Sequence, residues 1–274
     1  MPTALITGGS SGLGLETAKA LLAKDYEVII AGRSQQKLVN AENKLNSNKL
    51  TWIANDISNF EDVESLAGQI KNIDLLINNA GQMGTPHTLS AQGHELQMAT
   101  NHLGHFLLTK LLWEKLSKSE SPRVIHLSST VHRNGKAIKD TDELSGKDAD
   151  YDRWQRYADT KLACTHFGRE LDIRAKQAGS RIKSVIAHPG WASTGLQVHY
   201  PTRLHVFAQS PAQGARSQIK AALDPVEGGE FYAPSLELWG RPKKIQGNKL
   251  SRDLEVSKNL WELTEELTGK FNIS

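Results

Sequence analysis

The amino-acid sequence predicts an α/β fold: a doubly wound, seven-stranded parallel sheet with helices on both faces. Two observations predict it. Seven short apolar runs rich in β-branched residues recur along the chain, and the segments between them carry apolar residues at helical spacing. Strands that alternate with helices are joined by crossovers, which makes neighbouring strands parallel, and the right-handedness of such crossovers lays helices on both faces of the sheet. A ligand is then expected at the carboxyl ends of the strands.

The candidate strands are Ala4 to Thr7, Val28 to Ala31, Leu50 to Ala54, Leu75 to Asn78, Val124 to Leu127, Ile182 to Ala187 and Glu230 to Ala233. Helical spacing is clearest at Leu13, Ala18, Leu21 and Leu22, and again at Leu103, Phe106, Leu107, Lys110 and Leu111. Two stretches depart from the alternation. His132 to Arg153 is polar, carries the turn signals Asn134-Gly135 and Ser145-Gly146, and reads as a loop. After Pro234, the basic cluster Arg241, Lys243 and Lys244 reads as a solvated loop. Leu254, Leu260, Trp261, Leu263 and Leu267 then predict a last helix between Asp253 and Leu267. With no linker and no internal repeat, residues 1–274 read as a single domain with substrate loops at about 132–153 and 191–210 and a C-terminal extension from about 235 to 274.

Composition removes several function classes. The 33 basic and 30 acidic residues nearly cancel and form no block of like charge, so nucleic acid is not an expected partner. The single cysteine, Cys164, rules out an internal disulfide framework and suits a reducing, cytoplasmic setting. The chain runs from Met1 straight into an apolar strand pattern without the charged and apolar regions of a signal peptide, and no apolar stretch approaches the ~20 residues of a membrane helix, so neither secretion nor a membrane anchor is expected.

The first strand leads into Thr7-Gly8-Gly9-Ser10-Ser11-Gly12-Leu13-Gly14 and then into helical spacing. Glycines there let the backbone turn tightly and approach a pyrophosphate, while the amides and dipole of the helix start favour negative charge. After the second strand, where an acid would meet ribose hydroxyls, the chain reads Ala31-Gly32-Arg33-Ser34. The Arg33 guanidinium suits a 2′-phosphate, with Ser34 and Lys37 as helpers; the plain alternative is a solvated arginine at a helix start. NADP(H) is therefore the expected cofactor, with NAD(H) as the alternative.

The spacing Thr7-Gly8-x-x-x-Gly12-x-Gly14 resembles that of the short-chain dehydrogenase/reductase family, and further motifs follow in the family's order: Asp56-Ile57, Asn78-Asn79-Ala80-Gly81, and Asn101-x-x-Gly104-x-Phe106. The resemblance implies a Rossmann fold in which Asp56 and Ile57 meet the adenine and Asn79, Ala80 and Gly81 stabilise the sheet beside the cofactor. On sequence alone, the plain alternative for Asn78 and Asn79 is an ordinary turn.

The strongest constellation is Tyr157-Ala158-Asp159-Thr160-Lys161, preceded by Ser128-Ser129 at the end of the fifth strand. Residues four apart share a helix face, and an ammonium beside a phenol favours the phenolate, lowering a reference pKa of about 10 toward the working pH of an acid/base catalyst. In the family such a tyrosine exchanges a proton with the substrate oxygen while the nicotinamide exchanges a hydride. The resemblance then makes Ser129, rather than Ser128, the donor that orients the substrate, and gives Lys161 the nicotinamide ribose. It makes Asn101 the support of a water-linked proton relay. A hydrogen bond within the helix is the equal alternative for Asn101. Asn101, Tyr157 and Lys161 count among the cofactor contacts as well. His188-Pro189-Gly190-Trp191-Ala192-Ser193-Thr194 resembles the family's Pro-Gly segment, which implies that Pro189, Gly190 and Thr194 contact the carboxamide end of the cofactor. Trp154, Trp191, Tyr200 and Phe207 are candidates for an apolar pocket, packing being the alternative.

No metal site is expected. His102-x-x-His105 has helical spacing, but no carboxylate or cysteine completes a ligand set, and Asn-His-Leu-Gly-His-Phe is similar to a segment of retinol-dehydrogenase-like and protochlorophyllide-reductase-like members. Cys164, three residues after Lys161, reads as packing. The expected activity is hydride transfer between NADP(H) and the carbonyl or alcohol group of an apolar aldehyde, ketone or secondary alcohol. Reduction of a carbon-carbon double bond and a non-catalytic NADP sensor are the competing readings. Twenty-seven residues separate Ser129 from Tyr157, more than in the family's compact members, and a loop of that length over the usual association face predicts a monomer or weak homodimer.

Overall fold

The computed structural model describes residues 1–146, 150–193 and 208–273. Alternation of strand and helix holds from the first residue of β1 (Thr3–Thr7) through α1 (Gly12–Leu22), β2 (Glu27–Gly32), α2 (Gln35–Leu45), β3 (Leu50–Ala54), α3 (Phe60–Gln69) and β4 (Leu75–Asn78). A three-residue helix α4 (Leu96–Met98) passes through a π-helical turn (Ala99–Leu103) into α5 (Gly104–Ser117) and β5 (Arg123–Leu127). Then come α6 (Thr141–Ser145), α7 (Arg153–Gln177), β6 (Lys183–Ala187), α8 (Pro211–Gly214), α9 (Arg216–Leu223), β7 (Phe231–Pro234), β8 (Pro242–Ile245) and α10 (Leu254–Thr268).

The sheet order is β3-β2-β1-β4-β5-β6-β7-β8. The first seven of these pair in parallel, as the alternation requires, and the order reverses between β1 and β4. Period-two burial divides the core: Ala4 and Ile6 of β1, Leu75 and Ile77 of β4 and Ile125 of β5 face the helices α1, α2 and α9. Leu5, Leu76 and Val124 face α3, α5 and α7. That leaves the strands buried on both sides, which is why they read as continuous apolar runs.

Two expectations are corrected. Lys243 and Lys244 lie not in a loop but in β8, which pairs antiparallel with β7 from Phe231↔Ile245 to Pro234↔Pro242. A strand at the sheet edge needs little apolar signal, and lysines there block further pairing; Lys244 is ion-paired to Glu230. The described part of the 132–153 loop carries a 3-10 turn (Thr130–Asn134) and α6, too short to show periodicity. Ser145-Gly146, read as a turn, is the end of α6, with Gly146 left-handed at φ 74° as its cap.

The predicted last helix is α10. It packs on the outer helical layer through Trp261, which makes edge-to-face contact with Phe106 at a centroid distance of 4.8 Å. Ser257 and Thr264 on the same helix bond His166 and His102 at 2.7 and 2.8 Å.

Candidate active site

A cleft of about 410 Å³ opens at the carboxyl ends of β1, β2, β4 and β5, at the reversal of the sheet order. β1 ends in Thr7, and Gly8, left-handed at φ 66°, turns the chain so that its N–H bonds the Ala31 carbonyl of β2 at 2.7 Å. Gly14 lets α1 lie against that turn, because a Cβ there would overlap the Gly8 carbonyl oxygen. Ser11 is the N-cap of α1 but makes no side-chain cap, and the first turn has no acid, so the positive end of the helix dipole faces the cleft unopposed. Thr7, Gly8, Ser10, Ser11, Gly12, Leu13 and Gly14 all line the cleft.

The neighbouring segments close it. Arg33, Ser34, Asp56, Ile57, Asn79, Ala80 and Gly81 line the same cleft. The two asparagines divide: Asn78 is buried and donates to Thr109 at 3.0 Å, whereas Asn79 holds the glycine turn by donating to the Thr7 carbonyl at 2.7 Å. The half-exposed Arg33 guanidinium lies 4.0 Å from Asp56, and with the Gln82 amide turned so that its oxygen faces the guanidinium, that oxygen accepts from both terminal nitrogens at 2.6 and 3.0 Å. Ser34 also caps α2, accepting from the Lys37 amide at 3.4 Å. Asp56 is braced by Ser58, whose hydroxyl donates to it at 2.8 Å.

At the other end of the cleft, Leu127 and Thr100 form the wall. Tyr157 and Lys161 lie one turn apart on α7, both buried, with the ammonium 5.8 Å from the tyrosine ring centroid. That ammonium donates to the Leu127 carbonyl at 3.0 Å, two residues before Ser129. Ser128 is committed elsewhere: its hydroxyl donates to the Lys161 carbonyl at 2.8 Å. Ser129, half-buried and extended, begins the 3-10 turn, its carbonyl held by the His132 ring at 2.7 Å.

Asn101 sits in the π-helical turn. Its side chain clamps the Gln82 backbone, accepting from the N–H at 2.8 Å and donating to the carbonyl at 3.0 Å, and also donates to Thr160 at 2.8 Å. Thr160 passes the bond on to the Tyr157 carbonyl at 2.8 Å, a task that a hydroxyl of serine or threonine performs equally. Gly104 explains the motif's glycine: a Cβ there would overlap the Ile57 carbonyl oxygen, so α5 could not approach the Asp56-Ile57 segment.

The Pro-Gly segment stands apart from the cleft lining. Gly190 is left-handed at φ 73°, and Gln209 donates to the carbonyls of Pro189 and Leu238 at 2.9 and 2.7 Å. Thr194, Tyr200 and Phe207 lie outside the described residues. Trp191 packs edge-on against Trp239 at 5.9 Å, and Trp154 covers Gly84. Cys164 donates its thiol to the Asn101 carbonyl at 3.1 Å, and burial pushes its pKa up, which suits packing rather than a nucleophile. Sequence reasoning missed Gln82, Gln218 and His105. Gln218 reaches the Leu13 carbonyl at 3.2 Å from α9, and nothing in local sequence signals a contact across that distance.

The model of the short chain dehydrogenase family matches residues 2–140. The chain is 35% identical to human retinol dehydrogenase 13, with 97% of this chain and 84% of that protein aligned. It is 32% identical to a short-chain dehydrogenase/reductase of Penicillium rubens, over 95% of this chain and 83% of that protein. Among solved structures, an uncharacterised protein of Mycobacterium paratuberculosis superposes with a TM-score of 0.87 at 33% identity, covering 99% of this chain and 95% of that one. A short-chain dehydrogenase of Shigella flexneri complexed with NADP shares the fold at a TM-score of 0.67 and 22% identity, over 84% of this chain and 95% of that one. No described helix is long and apolar enough to cross a membrane. With the family model matching half of the chain and the curated relatives aligned over nearly all of it, the chain belongs to the short-chain dehydrogenase/reductase family, NAD(P)-binding oxidoreductases that act on CH–OH and C=O groups.

Proposed function

We propose that this protein is an NADP(H)-dependent oxidoreductase that interconverts a carbonyl and an alcohol on an apolar aldehyde, ketone or secondary alcohol. The observation that carries the reading is Lys161, whose ammonium lies beside the Tyr157 ring and against the end of β5 next to Ser129. The cleft fits the cofactor: a glycine turn that a Cβ would fill, an unopposed helix start and Arg33 where NAD enzymes carry an acid. Bound there, the nicotinamide supplies or accepts the hydride.

Every other part of the reaction falls to the chain's own residues. Tyr157 gives its phenolic proton to the carbonyl oxygen, and Lys161 lowers the cost of the phenolate left behind. Ser129 donates to the same oxygen, since Ser128 is held by the Lys161 carbonyl. Asn101 ties the π-helical turn to α7 through Thr160, and Arg33 binds the 2′-phosphate after releasing Gln82. We read the chain as a single-domain, cytoplasmic monomer or weak dimer. The test is a screen of apolar aldehydes and ketones with NADPH and NADH. Consumption of NADPH with at least one carbonyl class supports the reading; binding without turnover on any of them favours a sensor, and turnover confined to activated alkenes favours double-bond reduction.

A further inference from the structure

His105 belongs to none of the roles above, yet it is buried and has both ring nitrogens engaged. Nδ1 lies 3.1 Å from the Asn101 carbonyl, an acceptor only, so Nδ1 carries the ring proton. Nε2 is then a bare acceptor, and 2.9 Å away is the Thr7 hydroxyl. That hydroxyl has one proton to give. Its other acceptor, the Ile77 carbonyl, is farther at 3.3 Å, so the proton points to His105. With its proton so placed, the Thr7 oxygen accepts from the Asn79 amide at 2.9 Å and the Ala80 amide at 3.0 Å. The chain of bonds runs from the turn beside the cofactor cleft, through Thr7 and the imidazole, to the backbone of Asn101.

We propose that His105 is a positioning residue that holds the Thr7 hydroxyl and the Asn101 carbonyl in one frame, keeping the cofactor turn and the proton-transfer end of the site in register. The role at the site rests on the proposed function. Burial supports the required neutral form, pushing the imidazole pKa down to about 4.

The two nitrogens can be tested separately. In His105→Gln the amide reaches the Nε2 position and can still accept from Thr7, but no donor remains near Asn101. His105→Asn keeps a donor near Nδ1 and loses the acceptor for Thr7. His105→Phe removes both. The expected result is a loss of NADPH affinity of about tenfold in the Phe and Asn variants and less than about threefold in Gln, the scale of one hydrogen bond. The fall in kcat at saturating NADPH should follow the other order, large in Phe and Gln and small in Asn. A role in packing alone would lower all three together.

Amide exchange at Asn79 and Ala80 in the cofactor-free variants judges the inference without cofactor or turnover: exchange should quicken in Phe and Asn and not in Gln. Wild-type exchange in His105→Phe, or indistinguishable Gln and Asn variants, would overturn it. Failure of the wild type to bind NADPH would instead overturn the proposed function, leaving the exchange pattern to decide this point.

Discussion

The two ends of the cleft are built in different ways. The end formed by β1, β2 and β4 is made largely of backbone: Gly8 and Gly12 in left-handed conformations, the first turn of α1, and the Asn79-Ala80-Gly81 turn tied to Thr7. The other end, walled by Thr100 and Leu127, is backed by side chains reaching across elements, with Lys161 to Leu127, Asn101 to Thr160 and Gln82, and Ser128 to the Lys161 carbonyl. A backbone site accepts a ligand common to a whole family, because amides and glycines recognise phosphate geometry and little else. A side-chain site carries the chemistry and leaves specificity to the loops around it. The first end therefore speaks for the cofactor and the second for the reaction class, while the substrate is written in neither.

If that division is right, Lys161→Ala should have the largest effect, because the proposed function gives this ammonium a direct part at both ends. In that reading it stands beside the proton donor and meets the nicotinamide ribose, so turnover should fall by 10² or more, the scale of lost acid-base assistance, with NADPH affinity falling too. Steady-state kinetics and a fluorescence titration check both; loss of turnover with wild-type affinity would place Lys161 at the reaction end alone.

Arg33→Asp is the complementary break. It removes a charged contact worth about 1.5 to 3 kcal/mol and places an acid where ribose hydroxyls would sit, so affinity for NADPH should drop about tenfold to a hundredfold. Affinity for NADH should rise while kcat at saturation holds. Equal affinities of the wild type for the two cofactors would remove the basis of the NADP(H) preference.

Acid should act through the buried histidines. Burial holds His102, His126 and His188 down to about 3 and His105 and His166 to about 4, against an ordinary value of 6.5, and all five come after Thr100. Between those values and 6.5 the unfolded chain binds more protons than the folded one, so stability is fully present above pH 6.5 and is lost as pH falls toward 4, by about 1.4 kcal/mol per pH unit for each histidine that charges. Urea midpoints from pH 8 to 5 should be flat above 6.5 and fall steeply below it. A flat profile down to pH 5 would contradict the neutral buried assignment, including that of His105.

How much of this was legible in the sequence follows the same division. The seven parallel strands and the glycine turn announce themselves because each depends on residues within a few positions of one another. Thr7 to Gly14 is one continuous turn from the end of β1 into α1, and Leu75 to Asn78 is buried on both faces. The preference for Ser129 over Ser128 rests on resemblance alone; the bond that occupies Ser128 goes to the Lys161 carbonyl, 33 residues away. His105 stands out in the sequence only through His102-x-x-His105, a pair that no carboxylate or cysteine completes; its partner Thr7 is 98 residues distant, and no local pattern marks that contact. β8 was missed because an edge strand with exposed lysines has no apolar alternation to find.

Binding at one end and proton transfer at the other make the central claim, and Tyr157→Phe tests it most directly. The substitution keeps the ring and its place beside Lys161 and deletes only the hydroxyl. With NADPH affinity and carbonyl reduction measured on the same preparation, affinity should stay within about twofold of wild type while turnover falls by 10² or more. Unchanged turnover would contradict the account of proton transfer, and a parallel loss of affinity would show that the two ends do not divide the work.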